Sequence, residues 1–124
     1  MASINAALGI SQMKKLNQFL RFKRKLSKRY INLFKNFKGV RFISEDKNTK
    51  SNYWLNAVII DFKNNKQRIE LFKKAKKFRI PIRPAWTPLN KLNYLKNCPK
   101  SNLNKSEKIY KKIVCLPSSA ILGQ

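Results

Sequence analysis

Apolar side chains in the first third of the chain recur mainly at three- and four-residue steps. Ala7, Leu8, Met13, Leu16, Leu20, Leu26, Tyr30, Leu33, Phe34 and Phe37 make the stripe that predicts one long helix. Lys14, Lys15, Arg21, Arg24, Lys25, Lys28 and Arg29 fall largely between them, and Gly39 supplies a C-terminal stop. A basic amphipathic helix can lie on a membrane or bind a partner. The apolar face here is wide and aromatic, which favours packing against a core.

The pattern then shortens. Residues 40–43 predict a short strand and 44–51 a polar loop. Residues 53–60, Tyr-Trp-Leu-Asn-Ala-Val-Ile-Ile, form the strongest strand signal in the chain. After a turn at 61–65, Leu71, Phe72, Ala75 and Phe78 share one face of a helix over 66–78. A second short strand over 80–83 is confined by Pro81 and Pro84 to an edge or a strand end. Thr87-Pro88 predicts the start of a short helix with Leu89, Leu92 and Leu95 on its buried side. Asn104 and Glu107 have capping-box spacing for a helix through about Lys112, stapled by Leu103, and 113–116 is a last strand ended by Pro117. The sum is a small α/β layer of the α+β kind: a long N-terminal helix, then three or four short strands with helices packed on them.

Composition changes this picture less than its extremes suggest. At 124 residues a single domain is expected, and 43% hydrophobic residues is too many for a disordered basic tail. No apolar run approaches the ~20 residues that cross a bilayer. Residues 1–12 carry no basic stretch ahead of their apolar residues, which argues against a signal peptide. With 29 Lys+Arg against 5 Asp+Glu the net charge is +24, which on its face describes a nucleic-acid binder. The charge is mostly Lys rather than Arg, and it is spread from Lys14 to Lys112. Lys, Asn and Ile, whose codons are A/T-rich, are abundant together. The charge is therefore read as a solvated surface, with a basic nucleic-acid-binding protein kept as the alternative.

Candidate chemistry is sparse. The chain has no His, so Ser118 and Ser119 lack their usual general base, and Cys98 and Cys115 match no metal-ligand spacing. Two inert reduced thiols in a cytoplasmic protein are expected. The carboxylates Glu45, Asp46, Asp61, Glu70 and Glu107 include no pair spaced to share a proton, and the three glycines are too scattered for a phosphate loop. No self-sufficient active site results.

Three stretches nevertheless carry more detail than a scaffold needs. In Ser51-Asn52-Tyr53-Trp54-Leu55-Asn56, Asn56 interrupts an apolar strand, so it either holds a neighbouring backbone or faces a site. Arg83-Pro84-Ala85-Trp86 presents a guanidinium and an indole on one stiffened turn, and Leu116-Pro117-Ser118-Ser119 leads a strand into small hydroxyls. Packing and turn chemistry account for any one of them alone.

In that order, and preceded by Asn5-Ala6-Ala7-Leu8-Gly9-Ile10-Ser11-Gln12 opening the long helix, they resemble the C-terminal region of the DegT/StrS-type sugar aminotransferases. Those are pyridoxal-phosphate enzymes of the aspartate-aminotransferase fold. The likeness is strongest to the branch acting on UDP-4-keto amino sugars in bacillosamine and legionaminic acid pathways. The resemblance implies that residues 1–38 are an inter-domain helix and 39–124 a small C-terminal domain. It implies that Tyr53, Trp54 and Asn56 lie on a strand near the sugar-nucleotide pocket, that Arg83 and Trp86 lie on a turn close to it, and that Ser118 joins them. Arg83 would pair with a phosphate and Trp86 would stack on a ring.

The family's Schiff-base lysine, its pyridine-nitrogen aspartate, its phosphate-binding residues and its Asn-Tyr-Arg element all lie upstream of the matching region and have no counterpart here. Met1 corresponds to an internal methionine of the pattern. The expectation is a truncated or separately encoded C-terminal piece. It would bind no pyridoxal 5'-phosphate alone, and would be enzymatic only if an N-terminal cofactor domain or a homodimer partner completes it. The implied ligand is a nucleotide sugar. A structural module docking through its exposed helix is a further alternative.

Overall fold

The computed structural model describes residues 2–124; Met1, and with it the reading of that residue as an internal methionine, lies outside the described residues. The predicted long helix forms as α1 (Ser3–Phe34), 32 residues without a side-chain cap at its start. It stops four residues short of the expected boundary, and the chain crosses a tight turn before β1 (Val40–Phe42). Gly39 serves that turn rather than the helix end. Its φ of +77° is one that a Cβ would strain, and its carbonyl accepts from Asp61 N at 2.8 Å.

Four strands make one antiparallel sheet in the order β1-β2-β4-β3, with β2 (Asn56–Ile60), β3 (Arg83–Pro84) and β4 (Ile113–Leu116). The β-branched run of β2 pairs with β4 so that Val58 faces Val114, and both are 1% exposed. That pair is the centre of a small core completed by Leu26, Tyr53 and Ala75. The two-residue β3 sits at a sheet edge, where the missing N–H of Pro84 costs no ladder bond.

The strand predicted over 53–60 starts three residues late. Tyr53 has φ +47°, so the backbone turns left-handed where aromatic propensity favoured extension. Ser51 Oγ accepts from Tyr53 N at 3.0 Å and Asn52 Oδ1 from Trp54 N at 2.9 Å. These side-chain bonds occupy donors that a strand would have offered its neighbour.

Helix α2 (Asn65–Lys77) opens on a reciprocal cap: Asn64 Oδ1 accepts from Gln67 N at 2.9 Å, and Gln67 Oε1 accepts from Lys63 N at 2.8 Å. It closes in a Schellman arrangement, Arg79 N to Lys76 O and Ile80 N to Ala75 O, with Arg79 at φ +56° where glycine is usual. Phe78, expected on the buried face, lies beyond the helix and is 70% exposed.

Two other expectations fail. The helix predicted from Thr87 is instead two 3₁₀ turns, Leu89–Lys91 and Asn93–Leu95, with Leu89 exposed and no side-chain cap. The Asn104–Glu107 capping box does not form. Asn104 is the first residue of α3 (Asn104–Tyr110), its N–H goes to Asn102 Oδ1, and Glu107 is drawn away to Asn90 Nδ2 at 2.9 Å and to Lys91.

Only the second half of α1 packs against the rest of the chain, chiefly on the 3₁₀ turn Ala120–Gly123. The approach is close enough that a Cβ on Gly123 would lie 1.9 Å from Phe22 O. In the first half Ile4, Leu8, Ile10 and Met13 are all exposed, so the apolar stripe read as core-facing finds no core there. The chain exposes 10450 Å², roughly half again the about 6,900 Å² of a compact monomer of 14.6 kDa.

Candidate functional site

The residues singled out in sequence converge at one end of the sheet, where the loop before β2, the segment after β3 and the turn after β4 meet. Trp54 and Trp86 stack with ring centroids 5.5 Å apart and planes at 21°. Both are largely exposed, at 64% and 67%. Stacked indoles usually shed such exposure, so the pair forms an apolar shelf open to solvent. Beside it, an open cleft of about 350 Å³ is lined by residues that include Leu55, Arg83, Trp86, Cys115, Ser118 and Leu122. Arg83 is exposed and supplies the positive charge among these lining residues.

Two of the six predicted residues sit inside the structure rather than on the cleft wall. Asn56 is fully buried. Its backbone N–H and its Nδ2 both donate to Ser118 Oγ, at 2.7 and 3.3 Å, while Ser118 Oγ donates to Leu116 O at 2.8 Å. These bonds tie β2 to the Ser118 turn. Asn56 Oδ1 has no partner. Tyr53 is 8% exposed, with its ring tilted against Phe42 and beneath the Arg24 guanidinium.

Sequence reasoning missed what fixes these loops. Three side chains within two turns of α1 reach across to them. Lys23 donates to the carbonyls of Tyr53, Trp54 and Ser118. Arg24 pairs with both carboxylate oxygens of Glu45 and donates to Ser51 O at 2.6 Å. Glu45 also accepts from Ser51 N at 2.6 Å; the Arg24 bond, then the Ser51 bond, hold its pKa below the ordinary carboxylate value. Tyr30 donates its hydroxyl to Pro117 O at 3.0 Å, and burial raises its pKa. In sequence Arg24 reads only as one of the basic residues between the apolar positions, and Lys23 carries no signal of its own. A side chain that bonds main-chain carbonyls leaves no partner residue in the sequence to signal it.

Cys98 and Cys115 are both free, and burial pushes the Cys115 thiol up, away from reactivity. A larger groove of about 650 Å³, lined by Phe62, Arg68, Lys108, Tyr110 and Lys111, holds none of the predicted site residues. Among the described residues no group of His, Cys, Asp or Glu could hold a metal ion, and no helix is long and apolar enough to cross a membrane.

Comparison with known proteins bears on this arrangement. Residues 1–124 match the DegT/DnrJ/EryC1/StrS aminotransferase family. A Bacillus subtilis (strain 168) protein named as the pyridoxal phosphate-dependent aminotransferase EpsN is 27% identical over 97% of this chain and 31% of its own length. The dTDP-4-amino-4,6-dideoxy-D-glucose transaminase of Escherichia coli is 30% identical over 94% of this chain and 33% of its own. Helicobacter pylori PseC, an aminotransferase involved in pseudoaminic acid biosynthesis, superposes with a TM-score of 0.83 at 21% identity, over 94% of this chain and 32% of that one. The chain spans about a third of the length of the curated relatives it matches.

Proposed function

Since this chain belongs to the DegT/DnrJ/EryC1/StrS aminotransferase family, we propose that it is the small, substrate-facing part of a pyridoxal-phosphate sugar aminotransferase. Residues 1–38 act as the inter-domain helix and 39–124 as the small domain. The ligand is a nucleotide sugar, with a UDP-4-keto amino sugar the favoured class. Two similar proteins are named for amino-sugar chemistry, one of them on a dTDP-linked sugar, which supports the nucleotide-sugar class but not the uridine in particular.

The observation that carries the reading is the exposed Trp54–Trp86 stack beside the Arg83-lined cleft. An indole shelf offers a flat face to a base or sugar ring, and a guanidinium offers paired donors to a diphosphate. Ser118 lines the same cleft, but its hydroxyl is saturated, donating to Leu116 O and accepting from Asn56 N and Nδ2, so toward a ligand it offers surface rather than a hydrogen bond. Asn56 and Tyr53 support the wall from within.

The cleft residues do not fit the family's cofactor. A pyridoxal-phosphate site needs a lysine to bind the aldehyde and an acid to face the pyridine nitrogen. The lining set contains neither, and Lys23, which reaches the site's backbone, has all three donors engaged. On our reading the chain alone binds no pyridoxal phosphate and transfers no amino group. A cofactor domain, from a separate polypeptide or the rest of a longer one, completes the enzyme, and homodimer assembly proceeds through that completed unit. The exposed apolar half of α1 and the excess of exposed surface are what such a domain would cover. We place the protein in the cytoplasm, in keeping with its two free thiols.

The test is quenching of tryptophan fluorescence by uridine diphosphate, with random duplex DNA under a salt titration as the competing arm. Saturable quenching that weakens about tenfold in Arg83→Ala and in Trp86→Ala supports the proposal. No quenching, with tight salt-sensitive binding of DNA, overturns it in favour of the nucleic-acid alternative.

A further inference from the structure

Lys23 is half-buried on α1, and among the described residues no carboxylate lies within ion-pair distance of it. Its ammonium donates to Tyr53 O at 3.2 Å, Trp54 O at 3.3 Å and Ser118 O at 2.6 Å. An ammonium has three N–H donors and no acceptor, so its capacity is filled by main-chain carbonyls from two separate loops. Burial lowers its pKa, as expected for a charge that has traded water for carbonyl dipoles.

The neighbours divide the work. Arg24 grips the loop before β2 on its outer side, through Glu45 and Ser51, and does not reach the Ser118 turn. Tyr30 grips the turn after β4 through Pro117 and does not reach the loop. Asn56 joins the two sides through the Ser118 hydroxyl, at the root of β2. Lys23 joins them at their tips, where Tyr53 holds an unfavourable φ of +47° and the Trp54 carbonyl belongs to one of the two stacked residues. Lys23 does not line the cleft itself.

We infer that Lys23 is a positioning residue that sets the spacing between the Trp54–Trp86 shelf and the Ser118 wall of the cleft. The geometric part stands on the hydrogen bonds alone; the consequence for a ligand rests on the nucleotide-sugar reading above. Released from Lys23, the Tyr53 backbone loses a contact that opposes its relaxation toward negative φ, and Trp54 moves away from Trp86.

The experiment compares the wild-type chain with Lys23→Met, which keeps length without donors, and Lys23→Arg, which keeps charge and donors. Two signals are read: the exciton circular-dichroism couplet of the stacked indoles, and the dissociation constant for uridine diphosphate from fluorescence quenching. Lys23→Met is expected to lose most of the couplet and to bind about tenfold more weakly with its helical signal intact. Lys23→Arg is expected to retain the couplet and to bind within about threefold of wild type. A couplet unchanged in Lys23→Met, or lost equally in both variants, overturns the inference. Should Lys23→Met lose its helical signal, Lys23→Gln, with two donors, is read in its place: a weakened couplet supports the inference and an unchanged one overturns it. If uridine diphosphate fails to bind the wild-type chain, the nucleotide-sugar reading fails, and the couplet still decides the role of Lys23.

Discussion

Replacing Ser118 with alanine removes one oxygen and strands several groups at once. Ser118 Oγ is the acceptor for Asn56 N at 2.7 Å and for Asn56 Nδ2 at 3.3 Å, inside a residue with no solvent exposure. Asn56 Oδ1 already lacks a partner, so the side chain would then have none. An orphaned buried donor costs about 1–3 kcal/mol, and the 3.3 Å bond is the weaker of the two, so the loss should total about 2–4 kcal/mol. That is a large part of the about 5–15 kcal/mol that holds a typical domain. Urea unfolding followed by tryptophan fluorescence should show a midpoint lower by about 1–2 M. Asn56→Ala removes one of the stranded donors, so Ser118→Ala should cost about 1 kcal/mol less in that background. A Ser118→Ala variant within about 0.5 kcal/mol of wild type, or strict additivity in the double variant, would refute the claim that this hydroxyl anchors β2.

Other perturbations probe the scaffold. Arg79→Gly should raise stability by about 0.5–1 kcal/mol in the same urea assay, because Arg79 occupies a left-handed C-terminal position at φ +56°; a loss of stability would contradict it. Gly123→Ala should destabilise by about 1–3 kcal/mol, since its Cβ would lie 1.9 Å from Phe22 O and the turn must lift away from α1. That movement also threatens the Arg29 bonds to Leu122 O and Gln124 O, each 3.0 Å. Glu45 has its folded pKa depressed by Arg24 and Ser51, so its contribution is present above the unfolded carboxylate value and is lost as pH falls through the lower folded one. Amide exchange in the loop at residues 44–53 should accelerate across that acid window in wild type and show no such step in Glu45→Gln.

What could be read in advance follows from how far each signal reaches along the chain. Period and β-branching are local, and they located α1, β1, β2, α2 and β4 to within a few residues. Leu89, Leu92 and Leu95 misled because a strict three-residue spacing is the repeat of a 3₁₀ helix as much as of one α-helical face. Tyr53 misled because its backbone obeys Ser51, Asn52 and Lys23 rather than its own propensity. Arg79 carried no glycine to announce a helix end. The exposed half of α1 was legible as an apolar stripe, but a stripe does not say whether its cover belongs to the same chain. At the site, Arg83 and Trp86 were conspicuous because a guanidinium and an indole share one stiff turn, whereas Trp54 falls within a predicted strand that begins only at Asn56. Of the α1 side chains that position them, Lys23 and Tyr30 were not legible in that role, since their partners are backbone carbonyls, and Arg24 was not, since its carboxylate partner Glu45 lies 21 residues away on a loop.

The central claim is that this chain carries the substrate side of an aminotransferase and needs a cofactor domain to act. It is tested most directly by measuring amino transfer from an amino-acid donor to a UDP-4-keto sugar by the purified chain with pyridoxal phosphate, alone and mixed with a polypeptide containing a family cofactor domain. The account predicts no transfer and no retained cofactor for the chain alone, and transfer by the mixture that falls with Arg83→Ala. Transfer by the chain alone would contradict it, as would a mixture that forms a complex, retains the cofactor and still leaves the sugar unchanged.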